Sequence, residues 1–116
     1  MSDSLIQLRD ALRVFAAERD WDQFHSPRNL ATALAVEAAE LLEPFQWLDD
    51  QQSANLPPET RAAVEQEMAD VLLYLVRLAD RLDVDLVAAA RAKIVKNGEK
   101  YPVEKARGSS RKYDEL

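Results

Sequence analysis

An all-α, four-helix bundle-like fold is what this sequence predicts, and three observations carry it. Only two glycines occur among 116 residues, while Ala, Leu, Glu and Arg abound; so few glycines leave little material for hairpin turns, and the common residues are strong helix formers. Apolar residues recur at helical spacing along most of the chain. The breaks between these stretches carry cap residues and prolines, the punctuation of helix ends.

The first helix is expected over residues 4–19, where Leu5, Leu8, Leu12 and Phe15 form a 3-4-3 stripe. The second opens at Ser26-Pro27, a cap followed by proline at the first helical position, and runs to about Glu43 before Pro44. The third follows Pro57-Pro58 and reaches about Leu82, with Val64, Met68, Val71, Leu75, Leu78 and Leu82 in a heptad-like stripe. The fourth begins after Asp85, an N-cap residue, and ends near Glu99 before Tyr101-Pro102. Residues 45–57 read as a polar loop and 103–116 as an extended or loosely packed tail. One domain spanning 1–116 is expected, because two cores in so short a chain would each be too small to stand alone.

Composition narrows the function. The chain has no cysteine, so disulfides, thiolate metal sites and a thiol nucleophile are excluded. Met1-Ser2-Asp3-Ser4 has neither the basic nor the apolar region of a signal peptide, and no apolar run approaches the roughly 20 residues that span a bilayer. A cytoplasmic protein without a membrane partner is expected. The net charge of −6 argues against nucleic acid as the main partner. Residues 1–90 carry 17 acids, 7 arginines and no lysine, whereas residues 91–112 carry 8 basic residues against Glu99 and Glu104. The basic stretch is either a solvated helix end or a segment that meets an anion.

Four acids stand where apolar residues belong. In the second helix Glu37 falls on the stripe of Leu30, Leu34 and Leu41, and Glu40 lies one turn on. In the third, Glu67 aligns with Val71, Tyr74 and Leu78, and Asp70 lies one turn from it. A single E-x-x-E pair on a helix is ordinarily a solvated face. Two such pairs on consecutive helices, each intruding on an apolar stripe, require compensation, since burying unpaired carboxylates costs several kcal/mol each. A divalent cation would serve all four, and hard oxygen donors without Cys or paired His suit Mg²⁺, with Mn²⁺ a substitute, over Zn²⁺. A ferritin-like di-iron site needs Glu-x-x-His pairs, and the sole histidine, His25, lies outside both helices.

Glu37-Ala-Ala-Glu40 followed by Glu67-Met-Ala-Asp70 resembles the all-α nucleoside-triphosphate pyrophosphatases, the MazG-like superfamily. Further segments are similar to its dCTP pyrophosphatase branch: Ala16 to His25, Pro27-Arg28-Asn29-Leu30, Phe45-Gln46-Trp47, Asp70-Val71-Leu72 with Tyr74-Leu75, Asn97 with Tyr101-Pro102, and Ala106-Arg107 with Ser109 to Tyr113. Two positions depart. Val36 stands where the wider superfamily often has a further glutamate, and Leu12 where animal dCTP pyrophosphatases have a histidine.

The resemblance implies an all-α pyrophosphatase fold and hydrolysis of the α–β phosphoanhydride of a nucleoside triphosphate, dCTP or a modified dCTP, in nucleotide-pool housekeeping. Glu37, Glu40, Glu67 and Asp70 are then the metal ligands and catalytic acids, one glutamate also orienting or deprotonating water. Trp21, Gln23, Phe24, His25 and Trp47 would form a pocket for a pyrimidine, with Tyr74 beside the sugar. Lys93, Asn97 and Lys100, at i, i+4 and i+7, either meet phosphate oxygens or form a solvated basic face. The family also implies a homo-oligomer, dimer or tetramer. Two alternatives remain: an acidic helical interaction module without catalysis, and a related enzyme of dUTP, phosphoribosyl-ATP or broad specificity.

Overall fold

The structure, a computed structural model, describes residues 4–116. All its regular elements are helical: α1 (Leu5–Glu18), α2 (Pro27–Leu42), α3 (Asp50–Ala54), α4 (Pro58–Arg81), α5 (Leu86–Lys100) and α6 (Val103–Ala106), with 3₁₀ turns at Asp22–Phe24, Glu43–Phe45 and Tyr113–Glu115. The four long helices match the four expected. The chain forms two compact units, the first ending at Val84 and the second comprising Asp85–Leu116.

The caps fix where these helices start. The Ser4 hydroxyl accepts from the Gln7 amide at 3.1 Å while the Gln7 side-chain oxygen accepts from the Ser4 amide at 3.0 Å, a complete capping box. Ser26 accepts from the Asn29 amide at 3.1 Å with Pro27 at the first helical position, and Asp85 accepts from the Ala88 amide at 3.0 Å. Helix ends use aspartate in place of the missing glycines. Asp20 (φ 53°) and Asp83 (φ 56°) adopt the left-handed conformation after α1 and α4. Paired bonds seal each end: Trp21 N to Ala16 O at 2.9 Å with Asp20 N to Ala17 O at 3.1 Å, and Val84 N to Ala79 O at 2.8 Å with Asp83 N to Asp80 O at 3.1 Å.

Two segments differ from expectation. The loop over 45–57 contains α3, because Asp49 and Gln52 form a second capping box that starts a helical turn. The tail contains α6 and the 3₁₀ turn at Tyr113–Glu115, whose Tyr113 ring meets Tyr101 edge-on at 6.3 Å.

In the first unit α4 is the shared partner: α2 packs along it most extensively, and α1 packs beside it. Ala16, Leu30, Val64, Val76 and Ala79 are buried. The heptad-like stripe of α4 is only partly internal: Val64 is buried, Val71 and Leu78 are half-buried, and Met68, Leu75 and Leu82 are exposed. A seven-residue repeat drifts round a straight helix of 3.6 residues per turn, so over 24 residues the buried face moves to Val76 and Ala79. The pairing of α2 with α4 is antiparallel, for His25 before α2 meets Arg77 and Arg81 late in α4, whereas Glu37 late in α2 meets Glu67.

Candidate functional site

The antiparallel register brings the two acidic pairs together. One carboxylate oxygen from each of Glu37, Glu67 and Asp70 lies within 4.8 Å of the others. All three residues are half-buried. Glu40 is not in this group, but it adjoins Glu37 and interacts with its carboxyl directly.

The cluster is electrostatically unfinished. Oε2 of Glu37 and Oε2 of Glu67 are shut off from solvent and have no hydrogen-bond partner, an arrangement that buried carboxylates avoid. The Glu37 carboxyl is correspondingly pushed up from 4.5 to about 7. Its contact with Glu67 is the main cause, since one proton between two carboxylates restores a hydrogen bond; burial and the neighbouring charges of Glu40 and Asp70 add to it. Oxygen donors only, facing one another, with orphaned inward atoms, fit a hard divalent cation.

Beside the acids lies a cavity of about 210 Å³, with Leu12, Trp21, His25, Asp70, Tyr74 and Arg77 in its wall. Asp70 belongs to both the cluster and the cavity. The sealed end of α1 places Trp21, whose ring meets Phe15 edge-on at 5.7 Å and His25 at 6.2 Å. His25 lies at the entry to α2, its carbonyl accepting from Arg81 Nε at 3.1 Å.

Arg77, only 5% exposed, also lines the cavity. Its Nε donates to His25 Nδ1 at 3.1 Å, another guanidinium nitrogen pairs with Asp22, and a third lies 3.5 Å from Asp80. Asp80 in turn accepts from Nη2 and Nε of Arg13 on α1, at 2.6 and 2.8 Å. The Arg13 guanidinium holds the Asp80 carboxyl below its ordinary range, chiefly through that hydrogen bond. The His25 imidazole is held below its ordinary value by burial first and by the Arg77 charge second.

Of the residues singled out from sequence, the structure thus gathers Glu37, Glu67 and Asp70 in the cluster and Trp21, His25 and Tyr74 in the adjoining cavity. Gln23 instead closes the local turn by donating to the Asp20 carbonyl and carboxylate. Phe24 is exposed, and Trp47 is 87% exposed. Lys93, Asn97 and Lys100 lie on α5 in the second unit and are exposed; Lys100 stands over the Tyr113 ring at 5.0 Å. Sequence reasoning missed Arg77. Its spacing held the signal, for Asp70, Tyr74 and Arg77 fall at i, i+4 and i+7, a cation sharing one helical face with an acid and an aromatic.

Fold and cluster define the class: an all-α protein in which carboxylates from two paired helices converge beside an aromatic cavity. The MazG-like family model matches residues 32–116. The chain belongs to the MazG-like family. It is 53% identical to human dCTP pyrophosphatase 1 and 52% identical to the mouse protein of that name, over 104 residues in each case. Those matches cover 88% of this chain and 61% of the relatives, so the chain spans less than two thirds of their length. A solved pyrophosphatase from Archaeoglobus fulgidus is 39% identical and superposes with a TM-score of 0.80, covering 84% of this chain and 92% of that one.

Proposed function

We propose that this protein is a divalent-cation-dependent nucleoside triphosphate pyrophosphohydrolase that converts dCTP, or a modified dCTP, to the monophosphate and pyrophosphate. One observation carries the reading: Asp70 is at once a member of the carboxylate cluster and part of the wall of the cavity that holds Trp21, His25 and Tyr74. A ligand stacked in that cavity has its phosphates beside the acids. The names of the similar human and mouse proteins favour dCTP over dUTP or phosphoribosyl-ATP.

Glu37, Glu67 and Asp70 would hold Mg²⁺, or Mn²⁺ in its place, with Glu40 beside Glu37 as the fourth carboxylate. Bound there, the cation supplies charge neutralisation at phosphate oxygens and acidifies water at neutral pH. One glutamate of this group would also orient the attacking water or take its proton. Trp21 offers a flat surface to a base, which adds affinity without selecting among bases. Tyr74, one turn from Asp70 and in the same cavity wall, would lie beside the sugar.

No helix among the described residues is long and apolar enough to cross a membrane, in keeping with a cytoplasmic role. A homo-oligomer, dimer or tetramer, accounts for apolar side chains that the single chain leaves exposed, among them Val36, Leu42, Trp47, Met68 and Leu72. The acidic-module reading requires solvated carboxylates, and the orphaned inward oxygens of Glu37 and Glu67 weigh against it. The test is a panel of nucleoside triphosphates with Mg²⁺, reading pyrophosphate. Release from dCTP that EDTA abolishes is expected; no release from any nucleotide refutes the enzyme, and a preference for dUTP or a purine refutes the substrate.

A further inference from the structure

The hydrogen bond from Arg77 to His25 has a chemical consequence. A guanidinium has only donors and stays charged at any ordinary pH. The nitrogen that accepts from Arg77 Nε at 3.1 Å, His25 Nδ1, therefore carries no proton. A neutral imidazole with a bare Nδ1 has its proton on Nε2, and an imidazolium would set N–H against N–H. We infer that Arg77 is a positioning residue that locks His25 as a neutral Nε2–H donor, and that this donor reads the pyrimidine edge by pairing with the unprotonated N3 of cytosine.

The setting is built to hold that state. Arg77 is fixed by Asp22 and Asp80, and Asp80 by Arg13, so the donor fork has little freedom to turn. The His25 backbone is tied to Arg81, and the Asn29 side chain donates to the Phe24 carbonyl at 3.0 Å, fixing the residue before it. The charged groups facing the imidazole are Arg77, Arg81 and Asp22, and with burial they leave it harder to protonate than a free histidine. On a pyrimidine, N3 is where the lock discriminates: cytosine offers a lone pair there, and uracil offers an N–H that opposes Nε2–H. His25 has no acceptor left for the exocyclic amine, because its only accepting nitrogen is already taken by Arg77.

The base contact rests on the dCTP reading above, whereas the lock does not, and the tests separate them. His25 is the only histidine, so ¹⁵N-histidine NMR of the full chain reports it without assignment. A bare Nδ1 and a protonated Nε2 at neutral pH are expected in the wild type; a protonated Nδ1 overturns the lock. Arg77→Met, checked for helicity, should mix the tautomers and raise the imidazole pKa, and a folded variant with the wild-type spectrum also overturns it. For the contact, His25→Asn keeps an acceptor for Arg77 but withdraws the distal donor, and His25→Gln restores a donor near Nε2. With dCTP and Mg²⁺, Asn should raise KM about tenfold or more with kcat little changed, and Gln should recover most of it. Replacing N3 by C–H, in 3-deaza-dCTP, should raise the wild-type KM similarly and leave the Asn variant indifferent. Equal wild-type KM for both nucleotides overturns the contact. Absence of any dCTP hydrolysis overturns it together with the reading it rests on, while the spectrum still decides the lock.

Discussion

Adding Mg²⁺ to the metal-free protein should release a proton, in an amount set by the Glu37–Glu67 contact. The Glu37 carboxyl is raised from 4.5 to about 7, chiefly by its contact with Glu67. A cation among Glu37, Glu67 and Asp70 requires all three ionised. The proton released per site is then the fraction of Glu37 protonated beforehand, which is large on the acid side of about 7 and small on the alkaline side. Calorimetric Mg²⁺ titrations in buffers of contrasting ionisation enthalpy measure that number directly. Apparent affinity should rise about tenfold per pH unit well below 7 and flatten above it. Stability has a matching sign. A carboxyl raised from 4.5 to about 7 binds its proton more tightly when folded, so its contribution to metal-free stability falls as pH rises through that window. Mg²⁺ should therefore raise the melting temperature most at the alkaline end. Glu37→Gln should lose the pH-dependent release. Release that is the same at pH 6 and pH 8, or that survives Glu37→Gln, refutes the reasoning.

Four further outcomes follow from single residues. Asp70→Asn should lower turnover by orders of magnitude while circular dichroism stays near wild type, since it removes a charged ligand and keeps the volume; near-normal activity would place the cation elsewhere. Leu30→Ala should cost about 3 kcal/mol in denaturant unfolding, because Leu30 is 1% exposed and its removal leaves a cavity between α2 and its neighbours. Asp83→Gly should stabilise by up to about 1 kcal/mol, since φ 56° is strained for any side chain and free for glycine; a loss would show that the Asp83 side chain matters more than its backbone. The Asp80 carboxyl is held below 3.8 by Arg13 and Arg77, so its contribution is present above that value and lost as pH falls below it. Arg13→Gln should accordingly flatten the acid limb of the stability profile.

The sequence by itself determined the four long helices, because their caps and prolines act within a few residues: Ser4 with Gln7, Ser26 with Asn29, and Asp85 with Ala88 are bonds across three positions. It also determined that Glu37, Glu40, Glu67 and Asp70 needed a partner, since an acid on an apolar stripe betrays its burial before any fold is known. The same local chemistry held signals that were passed over, the Asp49–Gln52 box that starts α3 and the aspartates that end α1 and α4. Tertiary structure alone decided the rest. The pairing of α2 with α4 selected Glu37, Glu67 and Asp70 as the converging three and left Glu40 beside them. It brought Arg77 across to Asp22 and His25, contacts spanning 55 and 52 positions. It put Trp21 against the cavity and left Trp47 outside. Helical periodicity specifies a face, but which neighbour covers that face depends on the angle and register of another helix. Those are settled by packing over many residues at once, and no spacing within one segment encodes them.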